Sequence, residues 1–325
     1  MKKNIAIIMG GYSSEFEISL KSGEVVYQHL NRDIYSPYRV HILKEKWVLL
    51  DKHNTEYPIN KDYFSANING DKLQFDCVFN AIHGHPGENG LMIAYFELLG
   101  IKHTSAPFYQ MALTFNKRDT LSVVRSYGVK TATSVYLDKG DDISVDQIIA
   151  KVGLPCFVKP NSAGSSFGIS KVKEKKNLLT AISKAYEEDN QILIESFLDG
   201  TEISIGVIEF ENRVKVLPAT EIVSENEFFD YEAKYLGKSQ EITPARISKI
   251  QQENLNTVAR NVYKLLHLKG FSRAEYIFIG DEPYFIEVNT VPGLTNESLL
   301  PQQARAAGIT LENLFGNAIE QSLKQ

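Results

Sequence analysis

The stretch YFIEVNTVPGLTNESL, Tyr284 to Leu299, decides how the rest of the chain is read. It begins as a strand and stops at Pro292-Gly293. Successive strand side chains alternate faces, so Tyr284, Ile286 and Val288 point one way and Phe285, Glu287 and Asn289 the other. Glu287 and Asn289 therefore share a face. A carboxylate and an amide oxygen two residues apart suit a hard cation such as Mg²⁺. A solvated strand face followed by a turn would carry the same residues. The remainder of the chain has to supply what a metal site needs.

Working outward, the segment Arg273 to Ile279 reads as the preceding strand, with GDEP as the turn. Arg273 and Glu275 share a face there. A three-residue loop, or one bulge, places Glu275 opposite Glu287. Two carboxylates facing each other repel unless a cation lies between them. The alternative is that Arg273 neutralises the pair and no metal binds.

Farther upstream lie groups suited to phosphate. Lys159 ends a short strand, Leu154 to Lys159, directly before the small-residue run NSAGSSFG, residues 161–168. Backbone N–H groups and hydroxyls of such a run close on phosphate oxygens. No GK[ST] follows the glycines, so this is not a Walker A loop. Lys117 sits on a helical segment before it. Two lysines, a Gly/Ser-rich loop and a two-carboxylate hairpin together describe a nucleotide site.

Length and composition set the frame. A chain of 325 residues suggests two or three domains. Its 43% hydrophobic and 23% charged content is that of an ordinary globular protein. A net charge of −5 argues against nucleic acid or an anionic membrane as the main partner. Cys77 and Cys156 are far apart in apolar surroundings, which predicts buried reduced thiols and fits the cytosol. The start, MKKNIAIIMGG, has too short an apolar run for a signal peptide and reads as a first strand. No run approaches the ~18 apolar residues of a membrane span.

The first ~105 residues alternate strand and helix patterns. Ile5 to Met9 reads as a buried parallel strand. Ser14 and Glu17 have capping-box spacing ahead of a helix carrying Ile18, Val25 and Val26. Cys77 to Ile82 is a strand ending in His83, and Leu91, Ala94, Tyr95, Leu98 and Leu99 form the buried stripe of a helix. Farther on, Gln191 to Phe197, 202–210 and 213–220 read as strands, 224–243 as a long functional loop, and Leu255 to Leu266 as an amphipathic helix.

These motifs, in this order, resemble the D-alanine–D-alanine ligase family of the ATP-grasp superfamily. The matching runs are GGYSSEFEISL (10–20), AIHGHPGENG (81–90), NKRDT (116–120), VKPNSAGSSFGISKV (158–172), ILIESFLDGTE (192–202), FDYEAKYL (229–236) and FIEVNTVPGLTNESLLP (285–301). The resemblance implies an α/β ATP-grasp fold with α+β lobes: an N-terminal parallel α/β domain over 1–105, then lobes over 106–195 and 196–325 with ATP between them. It implies an ATP-dependent ligase joining two D-alanines through a D-alanyl phosphate for peptidoglycan synthesis. It further implies two Mg²⁺ ions (Mn²⁺ as a substitute), a cytoplasmic homodimer, and no nucleic-acid or membrane partner.

The resemblance also assigns roles. Lys117, Lys159 and Lys234 would hold ATP phosphates, with Ser165 in the same loop region. Glu195, the backbone near Leu198, and Glu202 would bind adenine and ribose. Glu275, Glu287 and Asn289 would hold the metal ions. Glu15 would anchor the first D-alanine's ammonium, with His83 nearby, and Ser165 and Tyr235 would bond to each other and to Glu15. Arg273 and the Gly293 N–H would form an oxyanion hole. Ser298 and Leu299 would hold the second D-alanine's carboxylate. Relatives usually have Asp where Glu275 stands, commonly Arg where Phe16 stands, and commonly Lys where Ser196 stands. Tyr235 favours the dipeptide over a D-alanyl–D-lactate ester. A noncatalytic ATP-binding module is the rival of another class, and a Rossmann oxidoreductase fails because Gly10-Gly11 lacks the GxGxxG spacing.

Overall fold

A computed structural model describes residues 2–162, 168–224 and 239–324. Its strands form three sheets. The first begins with β1 (Lys3–Gly10), which runs parallel to β2 (Tyr35–Ile42) on one side and β7 (Cys77–Asn80) on the other. Ile5 to Met9 are at most 1% exposed, as a parallel strand covered on both faces requires. The sheet is not parallel throughout. Beyond β2 it continues as an antiparallel meander of β3 (Trp47–Leu50), β4 (Glu56–Asn60), β5 (Ser65–Ile68) and β6 (Asp71–Gln74). That meander packs Trp47, Phe64 and Phe75 around Tyr95 and Phe96.

Helix α1 (Phe16–His29) lies on this sheet through an unusual face: Ser19, Ser22, Gly23 and Val26. A Cβ on Gly23 would come within 2.6 Å of the Met9 side chain, so only glycine lets the helix approach this closely. The expected capping box does not form. Glu15, not Ser14, is the N-cap, and no side chain caps it. Ser13 Oγ instead accepts the Glu15 N–H and donates to the His83 carbonyl.

Helix α2 (Leu91–Leu98) stands where expected but buries the other face. Met92, Ile93 and Phe96 are inside, whereas Leu91 and Leu98 are 58% and 88% exposed. The helix is apolar except for Glu97, so spacing alone could not select its inner face. Helices α3 (Phe108–Phe115) and α4 (Lys117–Ser126) follow, with the Asn116 side chain capping α4 through the Asp119 N–H.

The second sheet orders β10 (Ser170–Val172), β9 (Cys156–Pro160), β11 (Gln191–Ser196) and β8 (Ser134–Asp138). Helices α5 (Val145–Val152) and α6 (Leu178–Glu188) cover it, and Ile148, Val158, Ile182 and Ile194 share its core. Both cysteines are buried and unpaired, as anticipated.

The third sheet centres on β12 (Thr201–Phe210), flanked by β14 (Thr220–Ser224) and β16 (Phe271–Ile279), with β13 (Arg213–Val216) also on β12. Glu211 and Asn212, both at positive φ, make the β12–β13 turn. The segment read as a loop over 224–243 contains a strand, β15 (Ser239–Ile242), paired with β14. Helix α7 (Lys249–Leu265) starts with a complete Ser248/Gln251 capping box and buries Leu255, Ala259, Val262 and Tyr263. Strand β17 (Glu282–Asn289) forms the edge, and α8 (Leu299–Ala306) and α9 (Leu311–Lys324) close the chain. No helix among the described residues is long and apolar enough to cross a membrane.

Candidate active site

The β16–β17 hairpin pairs Ile279 with Glu282 through Tyr276 with Phe285, then slips by one residue, so that Glu275 faces Glu287 and Arg273 faces Asn289. The extra residue is Ile286. This bulge also corrects the simple alternation expected for the strand. Phe285 joins Val288 in the core, while Glu287 and Asn289 remain together on the other face. Opposing carboxylates are thus realised by a bulge, one of the two ways foreseen.

Each carboxylate has a cation beside it. Arg273 Nη1 donates to Glu275 Oε1 at 2.6 Å and to Ser204 Oγ at 3.0 Å. Lys117 Nζ, at the start of α4, lies 3.3 Å from Glu287 Oε2. Lys159 on β9 reaches Glu195 on β11, Nζ to Oε2 at 2.8 Å, and Ser134 Oγ donates to the other oxygen. Burial works against the Lys159 charge, but Glu195, then Glu287 and Glu275, outweigh it and raise the pKa. Lys159 therefore feels the hairpin carboxylates, and β9 and the hairpin look into one space.

The donor set suits a hard divalent ion. Glu275, Glu287 and Asn289 offer only oxygen, without thiolate or imidazole, which fits Mg²⁺ or Mn²⁺. Among the described residues no group of three or more His, Cys, Asp or Glu forms a metal cluster; the hairpin brings together two carboxylates and one amide.

The N-terminal elements supply the facing wall. Glu15 stands at the head of α1, and a Cβ on Gly84 would lie 3.2 Å from its Oε2. Gly84 has φ +66°, so a side chain there is disfavoured twice over. His83 is 4% exposed, and both of its ring nitrogens have protein partners: Nδ1 with the Val291 carbonyl at 2.7 Å, Nε2 with Ser22 Oγ at 2.9 Å. Burial lowers its pKa, with Glu15 opposing. Glu88 accepts the Gly84 N–H at 3.1 Å. Burial, reinforced by Glu15, pushes its carboxyl up to about 7.

After β17 the chain turns at Pro292-Gly293. A Cβ on Gly293 would meet Ser298 Oγ at 2.7 Å, so the turn and the start of α8 are in contact. Ser298 is the N-cap of α8 but does not cap it with its side chain. Its hydroxyl accepts the Thr295 N–H at 3.1 Å and bonds Thr295 Oγ1 at 2.7 Å. Leu299 begins the helix, 8% exposed.

A model of the D-ala D-ala ligase N-terminus matches residues 4–106, and a model of the D-ala D-ala ligase C-terminus matches residues 122–320. The chain belongs to the D-alanine–D-alanine ligase family. It is 64% identical over 321 residues to a D-alanine–D-alanine ligase of Flavobacterium johnsoniae, covering 99% of each chain. A D-alanine–D-alanine ligase of Christiangramia forsetii is 58% identical over 325 residues, covering 100% of each. Among solved structures, a D-alanine–D-alanine ligase from Bacillus anthracis complexed with ATP aligns with TM-score 0.81 at 28% identity, over 99% of this chain and 98% of that one. The ATP-grasp fold expected of the family is the fold observed.

Within this family fold, the remaining assigned residues are placed unevenly. Leu198 is half-buried just past β11, and Glu202 lies on β12 opposite Ile277 and Ile222. Glu195 is 3% exposed, with its carboxylate on Lys159 and Ser134. Ser196, where relatives commonly have Lys, takes the Thr133 N–H on its hydroxyl. Ser165, Lys234 and Tyr235 lie outside the described residues. Sequence reasoning missed Ser22, Ser204 and Glu88. Each is a small or ordinary polar residue whose importance rests on a partner more than sixty positions away, or on burial that spacing does not reveal.

Proposed function

We propose that this ligase condenses two D-alanines to D-alanyl-D-alanine at the expense of ATP, within the cell-wall branch of metabolism. The observation that carries the reading is the Glu275–Glu287 pair, with Arg273 on one side, Lys117 on the other and Lys159 within electrostatic reach. Binding a nucleotide does not by itself need so many charges arranged around one point. Bringing a carboxylate to a triphosphate does.

In the first step a carboxylate oxygen of the first D-alanine bonds to the γ-phosphorus. The bond from that phosphorus to the β–γ bridging oxygen breaks, and ADP departs. Lys117 and Lys159 offset the repulsion between two anions and hold the phosphates in line. Glu275, Glu287 and Asn289 would hold Mg²⁺, which when bound would neutralise charge on the phosphate oxygens. Glu15 would receive the substrate ammonium at the head of α1.

In the second step the ammonium of the other D-alanine releases a proton to solvent, and the amine attacks the acyl carbon. Arg273 and the Gly293 N–H are suited to the oxyanion that develops there. The carbon–oxygen bond to phosphate then breaks. The start of α8, with Ser298 and Leu299, would take the acceptor's carboxylate, as helix N-termini favour anions. Ser165, Lys234 and Tyr235 would complete the site from the two segments outside the described residues, shielding the acylphosphate from water. Glu195, Leu198 and Glu202 would line the purine and ribose side. A cytoplasmic homodimer is part of the same proposal.

The test is phosphate release with ATP and each alanine enantiomer. Release dependent on D-alanine, with dipeptide as product, is expected; equal rates with L-alanine overturn the reading. D-alanine in competition with D-lactate across pH separates dipeptide from ester synthesis. ATP binding by calorimetry with no turnover on any D-amino acid would favour the noncatalytic module.

A further inference from the structure

The turn that carries Gly293 belongs in sequence to the third sheet, yet its anchors come from the first ninety residues. The Val291 carbonyl accepts from His83 Nδ1 at 2.7 Å, and the Val291 N–H favours the charged form of the nearby Glu88 carboxyl. On the far side of the turn the Leu294 N–H donates to Ser22 Oγ at 3.1 Å. Pro292 has no N–H. The two residues between the anchors therefore contribute one amide hydrogen, that of Gly293.

The anchors are linked to one another. Ser22 Oγ lies 2.9 Å from His83 Nε2. The Val291 carbonyl can only accept, so in neutral imidazole the ring proton sits on Nδ1 and Nε2 is an acceptor; Ser22 Oγ then donates to Nε2 while accepting from Leu294. One tautomer of neutral imidazole satisfies every group. Glu88 is fixed in turn, because its N–H donates to the Gly84 carbonyl at 2.7 Å while its carboxyl takes the Gly84 N–H. Ser22, His83 and Glu88 are 0%, 4% and 8% exposed, so water does not compete for these bonds.

We propose that Ser22, His83 and Glu88 are positioning residues that set the aim of the Gly293 N–H, with His83 acting as a neutral spacer between helix α1 and the Val291 carbonyl. The inference rests on the reading that this N–H meets the tetrahedral oxyanion. A donor of that kind works only when it is already in place as charge develops. An anchor at each end of a two-residue turn provides that fixity. It also makes the N-terminal unit, which already carries Glu15, set the geometry of the second chemical step.

The experiment compares Ser22→Ala, Ser22→Thr, His83→Asn and Glu88→Gln in the full-length protein. Kinetics with ATP and D-alanine are paired with affinity for a phosphinate mimic of the tetrahedral intermediate. Ser22→Ala and His83→Asn should lower kcat on the order of tenfold to a hundredfold. The KM for ATP should stay within about twofold, and phosphinate affinity should fall in step with kcat. Ser22→Thr, which keeps the hydroxyl, should recover most of the loss. Glu88→Gln keeps an acceptor for the Gly84 N–H and serves if His83→Asn does not fold. Gly293→Pro removes the amide hydrogen and checks the underlying reading. Unchanged kcat in that variant overturns the oxyanion assignment. An impaired Gly293→Pro beside Ser22→Ala and His83→Asn with wild-type kcat and wild-type phosphinate affinity overturns the positioning proposal. A lowered melting temperature with no change in either quantity also overturns it.

Discussion

Glu275 and Glu287 stand opposite each other because Ile286 is an extra residue in β17. The bulge brings both acids to one face while Phe285 and Val288 stay in the core. A cation is the natural third member of that arrangement. Glu275→Gln and Glu287→Gln should each lower kcat about a hundredfold or more and move the magnesium dependence of activity to higher concentration. Glu275→Asp should retain most activity. Rates measured against total magnesium decide it. An unmoved magnesium curve in Glu275→Gln would mean that Arg273 alone balances the pair.

The Lys159–Glu195 bridge is nearly enclosed, with side chains 13% and 4% exposed. Removing one partner strands a buried charge. Lys159→Met or Glu195→Leu alone should destabilise the protein by roughly 3–5 kcal/mol, and the double replacement by much less. Urea unfolding of the three variants gives the coupling. Glu195→Gln is milder: the amide still meets Ser134, and the main expected effect is a raised KM for ATP as Lys159 loses its counter-charge. Equal unfolding midpoints for single and double variants would remove the bridge from the account.

Gly293 touches Ser298, and a methyl at this position would sit 2.7 Å from the serine oxygen. Gly293→Ala should therefore displace the turn and reduce kcat/KM by at least about tenfold. Adding Ser298→Ala should recover thermal stability by removing the clash. It should not recover activity, because Thr295 then loses its acceptor and the proposed site for the second D-alanine loses its hydroxyl. Melting curves and initial rates together separate the two effects.

Glu88 gives a pH signature. Burial raises its carboxyl from the ordinary 4.5 to about 7, so between those values the folded chain holds a proton that the unfolded chain has released. Stability contributed by the protonated form is present below pH ~4.5 and is lost as pH rises through ~7. At ~1.4 kcal/mol per pH unit, the loss is on the order of 3 kcal/mol by pH 8. Glu88→Gln removes this titration. The variant should gain stability over the wild type at pH 8 and show no gain near pH 4. Denaturant melts at the two pH values check it; a constant difference would argue against the raised pKa.

Much of the architecture could be read from residue patterns, for reasons that differ by element. Ile5 to Met9 announces itself because a strand covered on both faces must be apolar throughout. The α7 helix has both a capping box and a clear stripe. Glu275 opposite Glu287 follows from counting residues round a hairpin and allowing one bulge. Where pattern failed, the cause was physical. Helix α2 is apolar apart from Glu97, so the choice of inner face depends on what it packs against. The buried face of α1 is Ser19, Ser22 and Gly23, which no hydrophobic count detects. Lys159 with Glu195, and His83 with Ser22 and Val291, are contacts made across the fold and carry no local signature. Ser165, Lys234 and Tyr235 rest on family resemblance alone.

Small side chains on α1 have one more effect. Ser19 accepts the Gly10 N–H and donates to the Ala81 carbonyl, and Gly23 lies against Met9. These contacts leave no slack between helix and sheet. Glu15 occupies the N-cap position of the same helix, so the height of its carboxylate above the sheet is gauged by the bulk of residues one and two turns farther along. A methyl added at position 23 would act at Glu15 as a shim acts under a lever. With Glu15 in its proposed role, substrate fit would be adjusted from a place the substrate never reaches.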